Sequence, residues 1–330
     1  FFQAEDGIRD SSTLVGSEMC IRDRDINQNE IQMETEETVK EECVAVSKTK
    51  RIWLAFVDIV LFTVLFVIFL FLFAIPFAIA FPELKTQAGG MSVYLMMLNE
   101  ALMLASGLIA ACMVLGFRKL PFSGLGLSLK GWGRSLLNGA LFVVFLYAVG
   151  FGLSLLLGAV EVAGVLFSPI SLLSSLLLYF LVAVTEEVIG RGFILGRMLD
   201  GGVNKFVALL ISAVLFSLMH LFNPSFAFVP FLNIMLAGCF LGASYIYTRN
   251  LCFPIALHWF WNWIQGSVLG YKVSGNEFSN ENLLILHFPE ENLINGGTFG
   301  FEGSILCSLL LVLGTVIILR HYYKGLVIRD

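Results

Sequence analysis

The stretch "TEEVIGRGF" (185–193) puts two carboxylates and a guanidinium, Glu186, Glu187 and Arg191, after a run from Pro169 to Thr185 that carries no charge. Two further stretches hold polar groups four residues apart: "FSLMH", with Phe216 and His220, and "HWFWN", with His258 and Asn262. At that spacing each pair shares one face of a helix. A carboxylate with an imidazole suits proton abstraction from water, and an amide with a ring N–H suits stabilisation of a developing anion. Buried Glu, His and Arg also serve ion- or proton-coupled carriers, so residue types alone leave both chemistries open.

These groups sit in a chain built for lipid. Its 330 residues are 58% hydrophobic and 14% charged, with a mean hydropathy of +0.85. Soluble domains carry about 25% charged residues, which excludes that class. Eight segments approach the ~20 apolar residues that a spanning helix needs: 53–81, 93–117, 135–157, 169–196, 206–222, 226–247, 251–271 and 303–320. The expected fold is therefore an all-α, polytopic transmembrane bundle. Thirteen basic residues lie in the tails and alternate loops on one side, Arg118, Lys119, Lys130, Arg134, Arg197 and Arg249 among them. The other side has only Lys85 and Lys272. Positive charge stays cytoplasmic, so both termini are expected there.

An ionised side chain at the bilayer centre costs about 2.5–3.5 kcal/mol, so Glu186, Glu187 and Arg191 facing lipid would cost roughly 8–10 kcal/mol together. They must face the bundle interior. Glu187 and Arg191 have the acid-first i,i+4 order of a favourable ion pair. Glu186 lies about 100° round the helix and need not join that pair. Counting rise per residue puts Glu186, His258 and Asn262 near mid-bilayer or towards the cytoplasm, with His220 deeper. The expectation is one cavity, open to the cytoplasm, holding all four. Glu100, in the first third of the second span, is expected either to pair with Arg191 or to line an access path. Asp58, near the end of the first span, is expected to reach water. "GCFLG" (238–242) is a small-residue packing face.

The net charge of −5 comes from the tail: residues 1–50 hold twelve acids and six bases, the remainder thirteen and fourteen. Residues 1–24 start without Met, show no apolar period and resemble translated sequencing-adapter sequence. Residues 25–50 read as a polar cytoplasmic tail, either a short solvated helix or disordered. The six cysteines are scattered without metal-ligand spacing and suit a role as small hydrophobes. Residues 118–134 are expected along the cytoplasmic interface. The acidic stretch 272–302 is the one long loop on the outer side.

Taken in order on three helices, EExxxR (186–191), FxxxH (216–220) and HxxxN (258–262) resemble the CPBP family of intramembrane proteases, which includes CAAX prenyl endopeptidases and bacteriocin-processing or immunity-related relatives. The resemblance covers roughly residues 170–267. It implies a catalytic core at 169–271, between N-terminal helices (51–168) and the outer loop (272–302), with a last helix and tail at 303–330. It further implies that Glu186 and His220 activate water and that His258 and Asn262 form an oxyanion hole, supported by Glu187, Arg191 and Phe216. No cofactor is expected. A zinc set of Glu186, His220 and His258 is the alternative, although HExxH is absent. The implied partner is a membrane-associated protein or peptide, prenylated or bacteriocin-like, and no nucleic acid. The composition suggests a prokaryotic plasma membrane. A non-enzymatic immunity or scaffold protein and a coupled transporter remain as alternatives.

Overall fold

The computed structural model describes residues 36–82, 92–278 and 281–327. The adapter-like residues 1–24 lie outside the described residues, as does Lys85. Helix α1 (Glu36–Ala80) runs from the polar tail into the first span without a break. It is followed by α2 (Val93–Phe117), α3 (Trp132–Leu156) and strand β1 (Glu161–Val165). Then come α4 (Pro169–Glu187), which passes through a π-helical stretch, Val188–Leu195, into α5 (Gly196–Asp200), and α6 (Lys205–Met219). The chain ends with α7 (Phe228–Thr248), α8 (Cys252–Trp263), strand β2 (Leu284–His287) and α9 (Ile305–Val327).

Among the described residues six helices are long and apolar enough to cross a membrane: Lys48–Ala80, Val93–Phe117, Trp132–Leu156, Pro169–Asp200, Phe228–Thr248 and Ile305–Lys324. The protein is an integral, multi-pass helical bundle. Its first span is apolar on all sides and leaves Val64, Ile68, Leu72 and Ile75 exposed, as suits a helix that meets lipid on most of its surface. The segments expected as the fifth and seventh spans are shorter. Helix α6 has 15 residues, and α8 has 12 before a π turn over Ile264–Val268. His220 is the C-cap of α6, and Gln265 lies within the π turn that follows α8.

Close helix contacts rest on small residues. A Cβ on Gly238 of α7 would lie 2.7 Å from the Ala213 Cα of α6, so the "GCFLG" face brings these two helices together. Gly139 of α3 meets the Ala256 methyl of α8 in the same way. Segment 118–134 does not simply lie along the interface. It forms a short 3₁₀ turn (Phe122–Leu125) with Leu125 buried, and Leu251 N–H donates to the Gly126 carbonyl.

The basic loops meet at one end of the bundle. Contrary to expectation, Asp58 there is fully buried. It accepts from Arg118 Nε at 2.6 Å and Arg197 Nη2 at 2.8 Å. Arg197 also reaches Asp200 at 3.3 Å, and Asp200 pairs with Arg249. One carboxylate thus joins α1, the end of α2 and α5. Asp58→Asn leaves two guanidinium groups short of a charged acceptor, and a loss of about 1–3 kcal/mol is expected. A thermal melt in detergent reads this directly, and an unchanged midpoint would remove the clamp from the account of stability.

At the opposite end β1 and β2 pair antiparallel, Glu161 opposite His287 and Val165 opposite Leu284. This two-stranded sheet was not expected. It ties the outer loop to the α3–α4 connection, and Asn295 Nδ2 donates to the Ala159 carbonyl at 2.9 Å beside it.

Candidate active site

Three elements carry the motif residues, and each is anchored by its own sequence. Helix α4 begins with Pro169 at its first turn, where a missing N–H costs nothing. Its last residues, Glu186 and Glu187, stand immediately before the π stretch. That stretch contains Gly190 and Gly192. Glycine weakens the α-helical preference, and π turns are frequent at functional sites. The Gly190 carbonyl there accepts from Ser212 Oγ of α6 at 3.0 Å. Asn204 caps α6 by accepting from the Phe206 N–H at 3.0 Å. Helix α8 is held by its tryptophans. Trp259 and Trp263 Nε1 donate to the Leu176 and Leu172 carbonyls of α4, at 2.8 and 3.1 Å.

The buried charges are paired as the spacing implies, with one addition. Arg191 Nη1 donates to Glu187 Oε1 at 2.8 Å, and its Nη2 donates to the Gly238 carbonyl at 3.2 Å. The same Glu187 oxygen also accepts from His258 Nδ1 at 2.9 Å. Glu187 is therefore the hub between Arg191 and His258. The Phe216 ring covers the guanidinium, 4.2 Å from its carbon, and meets the His258 ring edge-on at 6.1 Å. Because Arg191 is taken up in this way, Glu100 does not pair with it.

Glu186 stands apart from that network. Its Oε2 is buried and has no hydrogen-bond partner among the described residues. It lies 3.7 Å from His258 Nε2 and 3.9 Å from His220 Nε2, too far for direct hydrogen bonds and within reach of a bridging water. Partner chemistry fixes the ring protons. A carbonyl can only accept, so His220 Nδ1–H donates to the Phe216 carbonyl at 2.9 Å. In the neutral ring, Nε2 then presents a lone pair towards Glu186. His258 spends its Nδ1–H on Glu187, so it can donate from Nε2 only as an imidazolium.

Glu186, His220, His258 and Asn262 all line one cavity of about 400 Å³. His220, placed deeper by rise counting, joins the others because α6 ends where the cavity begins. Glu187 and Arg191 lie behind the wall. Phe66, Met103, Val182, Ile189 and Met219 supply an apolar side. The lining also reaches Asn223, Ser274, Asn276 and Glu302, at the end opposite the basic loops. The cavity therefore extends towards the outer loop, away from the cytoplasmic mouth expected from the sequence.

Glu302 is the main site residue that spacing did not reveal. It accepts from Trp261 Nε1 at 3.1 Å and from the Ser274 N–H and Oγ at 2.7 and 2.8 Å. Asn223 Nδ2, three residues after His220, donates to the Ser274 carbonyl at 2.9 Å. The outer segment is thereby fastened to both histidine-bearing elements. An indole N–H in the "HWFWN" run, needing a buried acceptor, was the only sequence signal for Glu302.

A zinc ion held by Glu186, His220 and His258 at about 2.0–2.1 Å would set its ligands about 3.4 Å apart. The spacings of 3.7 and 3.9 Å are wider. Among the described residues no group of three His, Cys, Asp or Glu side chains is arranged to hold a metal ion. The described cysteines, Cys112, Cys239, Cys252 and Cys307, are unpaired and distributed through the bundle.

No curated protein and no solved structure matches the chain. Residues 167–264, under a third of the chain, match the family described as type II CAAX prenyl endopeptidase Rce1-like. The likeness to the CPBP/CAAX protease family thus holds over the segment that carries Glu186, His220, His258 and Asn262.

Proposed function

We propose that the protein is an intramembrane endopeptidase that hydrolyses a peptide bond in a membrane-associated protein or peptide. The observation that carries this is the unpartnered Glu186 Oε2, buried between two imidazole Nε2 atoms in one cavity. A water there donates one hydrogen to Glu186 and the other to His220 Nε2. As its oxygen attacks the peptide carbonyl, Glu186 takes the proton. Asn262 donates to the oxyanion through its amide, and His258 adds a second donor in its imidazolium form, which Glu187 steadies. Arg191 holds Glu187, and the Phe216 ring covers the guanidinium on the cavity side. Every step of this route is carried by the chain's own side chains.

The family description suggests a substrate with a prenylated CAAX-type C-terminus. The apolar wall from Phe66 to Met219 beside the polar centre supports a substrate that brings its own lipid-like group. Nothing in the site favours the bacteriocin-related, immunity or transporter readings.

Purified protein should cleave a membrane-embedded fluorogenic peptide, faster with a prenylated CAAX end than without. It should remain active in phenanthroline and contain zinc well below one ion per chain. Failure to cleave either peptide would sink the endopeptidase reading. Stoichiometric zinc, with activity lost on chelation and restored by zinc, would replace the glutamate mechanism and leave the protease reading standing.

A further inference from the structure

Of the ionisable side chains that line the cavity, Glu186, His220 and His258 belong to the hydrolytic centre and Glu302 is held by Trp261 and Ser274, which leaves Glu100. Glu100, on α2, lines the same cavity as Glu186. Its Oε2 is buried and has no hydrogen-bond partner among the described residues. A buried polar atom left unpaired calls for an explanation, and in an apolar span it is costly. Among the described residues no lysine or arginine lines the cavity beside it. Arg191 is bound to Glu187 and the Gly238 carbonyl, and Arg118 and Arg197 are bound to Asp58 at the basic end. The helices packed on α2 turn Phe66 (α1) and Glu186 (α4) to this cavity, with His220 and His258 across it. Two carboxyls that share a low-dielectric space do not both ionise cheaply. Such a pair divides into an acid and a base.

We propose that Glu100 is the acid partner of Glu186, a carboxyl that keeps its proton in the resting enzyme and delivers it to the leaving amine. This rests on the endopeptidase reading. The protons balance. Water gives one proton to Glu186 as its oxygen bonds to the carbonyl carbon. Glu100 gives its proton to the amide nitrogen as the C–N bond breaks, releasing an amine and a carboxylic acid. Glu186 then passes its proton to Glu100, restoring both.

The test compares wild type, E100Q and E186Q in the prenylated-peptide assay, with infrared spectra of each purified protein. Glutamine is neutral, like the proton-bearing acid, so E100Q should fold and melt as wild type does. Its kcat should fall about 10²-fold, with KM unchanged, and the high-pH limb of the kcat profile should disappear. The protonated-carboxyl C=O band at neutral pH should be lost in E100Q and kept in E186Q. If E186Q is inactive while E100Q keeps the wild-type kcat and pH profile, Glu100 is a wall residue and the proposal falls alone. A C=O band untouched by E100Q overturns it as well. If wild type cleaves nothing, the endopeptidase reading fails and takes the transfer step with it, and the infrared band still decides whether Glu100 holds a proton.

Discussion

Glu186→Gln is expected to lower kcat by about 10²–10⁴-fold while the protein still binds peptide and melts near the wild-type midpoint. The side chain keeps its shape and loses its proton acceptor. Its Oε2 has no structural partner to forfeit, so folding has little to lose. Asn262→Ala should fail differently. It removes one donor from the developing oxyanion, at a cost on the order of 10²–10³ in kcat, about 2.7–4 kcal/mol. Single-turnover cleavage with a separate binding measurement distinguishes the two. Glu186→Gln with near-normal turnover would remove Glu186 as the base. A change confined to KM in Asn262→Ala would make that residue a substrate contact instead.

Glu187→Gln should act mainly on stability. The carboxylate is fully buried and accepts from both Arg191 and His258 on one oxygen. Neutralising it leaves a guanidinium, itself 1% exposed, with only the Gly238 carbonyl and the Phe216 ring for company. Breaking one side of a buried pair costs about 3–5 kcal/mol. The detergent melting midpoint should therefore drop well below that of Glu186→Gln. Equal midpoints for the two variants would contradict the division between a structural and a chemical glutamate.

The pairing of Glu187 with Arg191, with Glu186 outside it, was legible before any coordinates, because i,i+4 geometry and the cost of charge in lipid act locally. The same holds for pairing His220 and His258 as the two membrane histidines. The number of long spans was less legible. Apolar content continues past His220 and past Trp263, and hydropathy does not register that α6 stops at the first or that α8 gives way to a π turn at the second. Asp58 looked able to reach water, since nothing local shows that Arg118 and Arg197, 60 and 139 residues away, converge on it. The strand Glu161–Val165 was hidden because its partner, Leu284–His287, is supplied by a distant loop. Glu302 read as one of several loop acids, and only its contacts set it apart. In each case the missing information was long-range contact.

The 15 residues of α6 rise about 22 Å, against a hydrocarbon thickness of about 30 Å. Phe206, Val207, Leu210, Leu218 and Met219 along this helix are exposed, so its flank meets acyl chains directly. Lipids beside it must compress, or water must descend to fill the difference. Since α6 ends at His220, this short flank borders the cavity. On the endopeptidase reading, a substrate diffusing in the plane of the membrane would meet, at that flank, a place where its backbone can leave the oil before it touches the protein.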